Sequence, residues 1–393
     1  MFAIRAAVLI LVVLLQVPSG HADERPSMQS VEAFLQKSVE KGSVAGGVLL
    51  VYHRGEPILE APFGFADLEA GKPYKMDTPV IIASISKPLI GTILFRMQEA
   101  GKLNLDAPIT EYLPEFADPQ MKSGEPSPRP PKVGELLTHT SGFRSDYEDG
   151  GRIWFQDWTK ERPLSEVVAG VAKNIPLNRV PGTKYAYSGI GTDVAARIGE
   201  VVSGERRNAF LQSELAEPLQ MDHTFYFAKT RVDALPEGMP IRYYRGSRSG
   251  KLLRYKKRLP LDDEFYSSSG GTVVSTAEDL GRWLLMLRSR GILPDGSRYL
   301  SAASMDAMLH PAPLGYNAAG GLFIRRKNDQ GVPVLYAHTG SSGTNVWIDF
   351  EQDVIGIMLT QTRASDIKPF RIELQDRVTK AVASEYLEPA VSK

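Results

Sequence analysis

Between Gly46 and Asp67 the chain reads GGVLLVYHRGEPILEAPFGFAD, two apolar, β-prone runs on either side of the polar stretch His53 to Glu56, and this pattern predicts a hairpin. Just before it, the spacing of apolar residues from Val31 to Lys41 predicts an amphipathic helix. From Ser84 to Gly101, Leu89, Ile90, Ile93, Leu94 and Met97 recur on one helical face, with Gly101 as the stop. Pro88 is compatible with that helix, because first-turn amides have no intrahelical acceptor to lose. Residues 118 to 131 hold five prolines and predict an irregular connection, and helical patterns follow near 164–173, 192–203 and 206–217. From Gly320 onward GGLFIRRK, VPVLYAHTG, TNVWIDF and DVIGIMLTQT read as short strands, before a last helix near 367–386. Early strands, a helical middle and late strands predict an α+β fold: one antiparallel sheet built from both chain ends and flanked by helices, beside a mostly helical second subdomain.

The first 22 residues change the picture at the N-terminus. Arg5, an unbroken apolar run from Ala6 to Leu15, and the small residues Gly20 and Ala22 have the layout of a secretory signal peptide, so 1–22 is set apart from the fold. The run is shorter than the roughly 20 residues that cross a bilayer core, and no stable membrane anchor is expected. The protein is therefore expected to be exported, to a periplasm or out of the cell. It has no cysteine, which excludes disulfides, a lipidated N-terminal cysteine and a thiol nucleophile. Its six histidines include no pair at metal-ligand spacing, and no metal or cofactor is expected. Lys plus Arg equals Asp plus Glu at 46 each, so no global field favours nucleic acid. One segment, RYYRGSRSGKLLRYKKR from Arg242 to Arg258, concentrates cations without an acid; it reads as a solvated hairpin rather than a contact for anionic envelope polymers.

Three Ser-x-x-Lys spacings occur, at Ser38/Lys41, Ser84/Lys87 and Ser365/Lys368. Spacing alone therefore distinguishes none of them. A serine hydroxyl needs a neighbouring base to act as a nucleophile, and no Gly-x-Ser-x-Gly elbow is present. At i and i+3 on a helix an amine would lie beside the hydroxyl, although its pKa would have to fall by about three units from about 10.4. Helix-terminal N–H groups would favour a developing oxyanion. Only Ser84 and Lys87 are embedded in apolar sequence, VIIASISKPLIGTILF; Ser38 and Lys41 lie in a charged run, and Ser365 is expected to cap the last helix. Ser84 itself could still be a simple helix cap.

The run TPVIIASISKPLIGTILFRMQEAGKLNLDAPITEYLPEF resembles the serine β-lactamase and penicillin-binding superfamily, in the branch that holds class C β-lactamases, D-alanyl-D-alanine carboxypeptidases and family VIII carboxylesterases. LLTHTSGF (136–143), PGTKYAYSG (181–189), LAEPLQMDHT (215–224), GGTVVSTAEDLGRW (270–283) and HTGSSGT (338–344) follow in the family's order, so the resemblance spans about 30 to 385.

That resemblance implies a β-lactamase/transpeptidase-like fold, with 23–90 and 270–393 forming the sheet subdomain, 91–269 the helical one, and the active site between them. It implies acylation at Ser84, proton transfer through Lys87, and Tyr187 as the second proton-transfer group, with Tyr185 its rival. It puts the oxyanion hole at the backbone N–H groups of Ser84 and Ser341, and the substrate-binding strand at His338, Thr339 and Gly340. His338 stands where class C enzymes carry lysine and would hold a substrate carboxylate less firmly. His139 belongs to a loop that is structural in the family. Gly189 replaces the family's asparagine, which weakens the case for β-lactam and peptide recognition. The implied function is an exported serine hydrolase acting on a small ester or amide. The alternatives are a D-alanyl-D-alanine carboxypeptidase acting on cell-wall peptide, a β-lactamase, and a non-catalytic penicillin- or peptide-binding protein.

Overall fold

The computed structural model describes residues 26–145, 163–227, 238–255, 268–314 and 317–387. The expected signal peptide lies outside them, and no described helix is long and apolar enough to cross a membrane. Helix α1 (Met28–Glu40) starts three residues earlier than the apolar spacing predicts, because Ser27 and Ser30 form a reciprocal capping box. Strands β1 (Gly46–His53) and β2 (Glu56–Asp67) form the expected hairpin. Arg54 and Gly55 turn it, both at positive φ, the backbone state of tight hairpin turns.

Short strands β3 (Lys72–Pro73) and β4 (Val80–Ile81) lead to α2 (Ser86–Glu99). The middle of the chain supplies α3 (Val133–Leu137), α4 (Leu164–Asn174), α5 (Gly189–Ser203) and α6 (Arg207–Leu211), the last running on into a π turn, Gln212–Ala216. Then come β5 (Phe225–Tyr226), the hairpin β6 (Tyr243–Arg245) and β7 (Leu252–Arg254), β8 (Val273–Ser275), α7 (Ala277–Arg288) and α8 (Ala302–Leu309). Strands β9 (Phe323–Lys327), β10 (Pro333–Thr339), β11 (Asn345–Asp349) and β12 (Val354–Leu359) precede α9 (Lys368–Glu385).

The main sheet has the order β3-β2-β1-β12-β11-β10-β9, antiparallel throughout, so the first long strand pairs with the last. The period-two alternation divides β1 between two cores: Val48, Leu50 and Tyr52 face one, Leu49 and Val51 the other. One face carries α1 and α9, through Leu35, Phe370 and Leu374. The other continues into the helical region, where Ile93, Leu136, Ile190 and Trp283 belong to the same buried cluster as Val48. A smaller sheet, β4-β8-β5, lies beside the start of α2.

Two local expectations need correcting. Ser365 does not cap α9: the cap position is Ile367, with no side-chain bond, and the Ser365 hydroxyl donates to Asp366. The cationic segment does form a hairpin over its described part, to Tyr255, but it is not wholly solvated. Tyr243 is 2% exposed with its hydroxyl on Glu69, and Arg245 donates to the carbonyls of Gly42 and Ser43, because the hairpin is tied back onto the sheet side of the molecule.

Candidate active site

Ala83–Ile85 form a 3-10 turn ahead of α2, and Ala83 takes φ 51°, a strained value for a residue with a Cβ. The surrounding hydrogen bonds hold it there. Ser342 Oγ and Gln361 Nε2 donate to the Ile81 carbonyl (2.8 and 3.0 Å), Thr344 Oγ1 donates to that of Ile82 (2.9 Å), and Ser86 Oγ donates to that of Ala83 (2.7 Å). Gly340 lets the end of β10 abut this turn, since a Cβ there would stand 2.4 Å from the Ile82 carbonyl oxygen. The HTGSSGT segment thus builds the seat of Ser84. Neither helical segment here has a side-chain cap, and their cap positions are Ile82 and Ile85, so the helix-cap alternative for Ser84 falls away.

Three residues on, Lys87 is 7% exposed. Its Nζ donates to Ser84 Oγ at 3.2 Å and to the Gly270 carbonyl at 2.9 Å, and it lies 4.9 Å from the centroid of the Tyr187 ring. Gly270 approaches so closely that a Cβ would sit 2.8 Å from Nζ. The segment carrying Tyr187 hangs from the 138–141 loop: Ala186 N–H donates to the His139 carbonyl (2.8 Å), Ser188 N–H to His139 Nδ1 (3.3 Å), and Gly182 N–H to the Thr140 carbonyl (2.8 Å). His139 sits at φ 58°, and burial, reinforced by the Lys87 charge, lowers its pKa to about 3. It is therefore neutral near pH 7. With Nδ1 accepting, its proton belongs on Nε2. The ring packs against Tyr187 at 4.5 Å and edge-on against Tyr185 at 5.9 Å, a mount for the two tyrosines, as the structural assignment of this loop anticipates.

Ser84, Tyr185, Tyr187, Phe323, Thr339, Gly340 and Ser341 all line one cleft of about 680 Å³. Arg179 and Arg325 border it as well. His338 does not do what was expected of it. Its position on β10 has the parity of Tyr336, so the side chain turns to the helical core, is 0% exposed, and stacks under Phe323 at 4.7 Å. Burial first, then the charge of Lys87 and the nearness of His139, push its pKa well below 6.5. A neutral ring beneath the floor offers a substrate carboxylate no cation. Gly189 opens α5 directly after its cap, Ser188.

Phe323 and Arg325, two apart on β9 and so on one face, enter the cleft together, with the Arg325 guanidinium 4.7 Å over the Phe323 ring. GGLFIRRK carried that spacing, but nothing in it told which face would meet a cleft. Gly270 acts through its carbonyl and so left no side-chain signal. Among the described residues no group of three or more His, Cys, Asp or Glu is arranged to hold a metal. Chemically the arrangement is a hydroxyl beside a buried amine and a phenol, at the mouth of a cleft with an aromatic wall and two guanidinium groups.

The family model described as Beta-lactamase matches residues 31–379. The chain is similar to Esterase EstB of Burkholderia gladioli, at 29% identity over 284 residues, 67% of this chain and 71% of that one. It is similar to Penicillin-binding protein 4 of Amycolatopsis lactamdurans, at 30% over 268 residues, 67% of this chain and 65% of that one. Among solved structures, "EstCE1, a hydrolase with promiscuous acyltransferase activity" superposes with a TM-score of 0.75 at 24% identity, covering 90% of this chain and 98% of that one.

Proposed function

Because the chain belongs to the Beta-lactamase family, we propose that it is an exported serine hydrolase that forms an acyl-enzyme on Ser84 and acts on small esters or amides. The observation that carries this reading is the 3.2 Å separation of Lys87 Nζ and Ser84 Oγ, with Tyr187 beside the same amine and both Ser84 and Tyr187 lining one cleft. In the reaction Ser84 Oγ bonds to the acyl carbon while its proton passes to Lys87 or Tyr187. The oxyanion is met by the backbone N–H groups of Ser84 and Ser341, each such donor typically contributing about 3 kcal/mol. The bond to the leaving alcohol or amine then breaks, and that group takes the proton through Tyr187. Water, or another hydroxyl, discharges the acyl-enzyme by the same steps in reverse. Thr339 and Gly340 form the substrate-binding edge. The cleft then separates a sheet subdomain, 23–90 and 270–393, from a helical one, 91–269.

An ester asks less of the missing asparagine side chain at Gly189 than a β-lactam or peptide does, which favours the esterase reading, and the similarity to Esterase EstB points the same way. One observation favours a second reading, a D-alanyl-D-alanine carboxypeptidase: Arg179 and Arg325 border the cleft and could receive a terminal carboxylate that the buried His338 cannot.

Intact-mass spectrometry after treatment with an activated fluorophosphonate tests the acyl-enzyme. One adduct on the wild type and none on Ser84→Ala is expected. A folded wild type that gains no adduct points to a non-catalytic binding protein, and equal labelling of Ser84→Ala removes Ser84 from its role. Turnover of a short-chain p-nitrophenyl ester, nitrocefin and a D-Ala-D-Ala peptide then ranks the substrates, with the ester expected first.

A further inference from the structure

Next to the Lys87 acceptor, Ser269 is 0% exposed, and buried side chains engage its three polar groups. Its N–H donates to Asp193 Oδ1 at 2.6 Å, its hydroxyl accepts from Arg207 Nη1 at 3.1 Å, and its carbonyl accepts from the Tyr226 hydroxyl at 3.0 Å. The three partners are 2%, 7% and 1% exposed and come from α5, α6 and β5. The Arg207 guanidinium also lies 4.4 Å over the Tyr226 ring. A buried carboxylate and guanidinium are costly to desolvate, and apolar side chains would fill the same space without that cost. What this set gains is fixed geometry at one backbone residue.

The residue that follows is Gly270, whose carbonyl accepts from Lys87 Nζ at 2.9 Å. Glycine imposes little on its own φ and ψ, so the direction of that carbonyl depends on what anchors the chain on either side. Downstream, Gly271 N–H and the Thr272 hydroxyl both bond the Ser268 carbonyl (2.9 and 3.1 Å), closing a turn. Upstream, the anchor is Ser269. We propose that Asp193, Arg207 and Tyr226 are positioning residues for Lys87: by locking Ser269 they aim the Gly270 carbonyl, which holds Nζ toward Ser84 Oγ. Gly189 sharpens the requirement, since it has no side-chain amide with which to orient the amine. The inference rests on Ser84 and Lys87 reacting as proposed above.

The test is fluorophosphonate inactivation kinetics resolved into a maximal rate and a half-saturating concentration, for wild type, Tyr226→Phe, Asp193→Ala and Asp193→Asn, with Ser84→Ala as control. Tyr226→Phe keeps the ring beneath Arg207 and removes one donor, and a fall of about three- to tenfold in maximal rate is expected, with half-saturation within twofold. Asp193→Ala is expected to lose more than tenfold. Asp193→Asn keeps an acceptor for Ser269 N–H and is expected to recover most of that loss. Folded Tyr226→Phe reacting at the wild-type rate overturns the inference and decides the matter even where Asp193→Ala does not fold. So does a loss confined to half-saturation. Ser84-independent labelling would instead bring down the acyl-enzyme reading on which the inference rests.

Discussion

At the scale of single residues, the site depends on a few atoms whose removal has distinct expected effects. Lys87→Ala leaves the Ser84 hydroxyl without its adjacent amine, and ester turnover should fall by about 10³-fold or more; Tyr187→Phe removes one proton relay, and a loss of about 10²- to 10⁴-fold is expected. Steady-state kinetics on a p-nitrophenyl ester check both, and retention of more than a tenth of the wild-type rate in either would remove that residue from the mechanism. Gly340→Ala is different in kind. Its Cβ would meet the Ile82 carbonyl at 2.4 Å, a backbone atom that cannot rotate away, so stability and labelling of Ser84 should fall together. Spacing offered three Ser-x-x-Lys pairs, apolar context singled out Ser84 and Lys87, and a motif match pointed to Tyr187. His338 was misread because a motif gives identity but not which side of a strand a side chain takes, and parity on β10 turns it from the cleft.

At the scale of elements, Ser84 sits between a helix and a sheet that recognise one another through hydroxyl groups. Thr344→Val keeps the volume and removes the 2.9 Å donor to the Ile82 carbonyl, which then keeps only the longer 3.3 Å bond from the Ile85 N–H. A cost of about 0.5–1.5 kcal/mol is expected in urea unfolding, with slower acylation, because the strained turn at Ala83 loses part of what holds it. Leu374→Ala on α9 is the contrast. It is 1% exposed in the cluster on the opposite face of the sheet, so it should cost about 2–5 kcal/mol yet leave the acylation rate of the folded fraction unchanged. The hairpin, the helix of Lys87 and the four late strands were legible because each carries its own apolar period. The start of α1 and the capping of α9 were not, since they depend on which polar atoms find partners.

At the scale of the whole molecule, burying two histidines beside one amine links folding to pH. In the unfolded chain each titrates near the ordinary 6.5, whereas folded His139 does so at about 3 and His338 well below 6.5. Their contribution is fully present above about pH 6.5 and declines as pH falls, because the unfolded chain then binds protons that the native state refuses. The slope approaches about 1.4 kcal/mol per pH unit for each histidine. Urea unfolding between pH 6.5 and 5, above the ordinary carboxylate range, should show this loss, and His338→Gln should flatten it; equal slopes in variant and wild type would rule it out for His338. The sequence by itself determined the α+β order, the pairing of both chain ends in one sheet, and the residues that resemble a family's reactive set, because those follow from local periodicity and short spacings. Only the tertiary structure decided that Gly270 presents its carbonyl to Lys87, that Arg179 and Arg325 border the cleft, and that His338 lies beneath it. Each of these joins positions far apart in the chain, and packing rather than local pattern sets which side chains and carbonyls share one small volume.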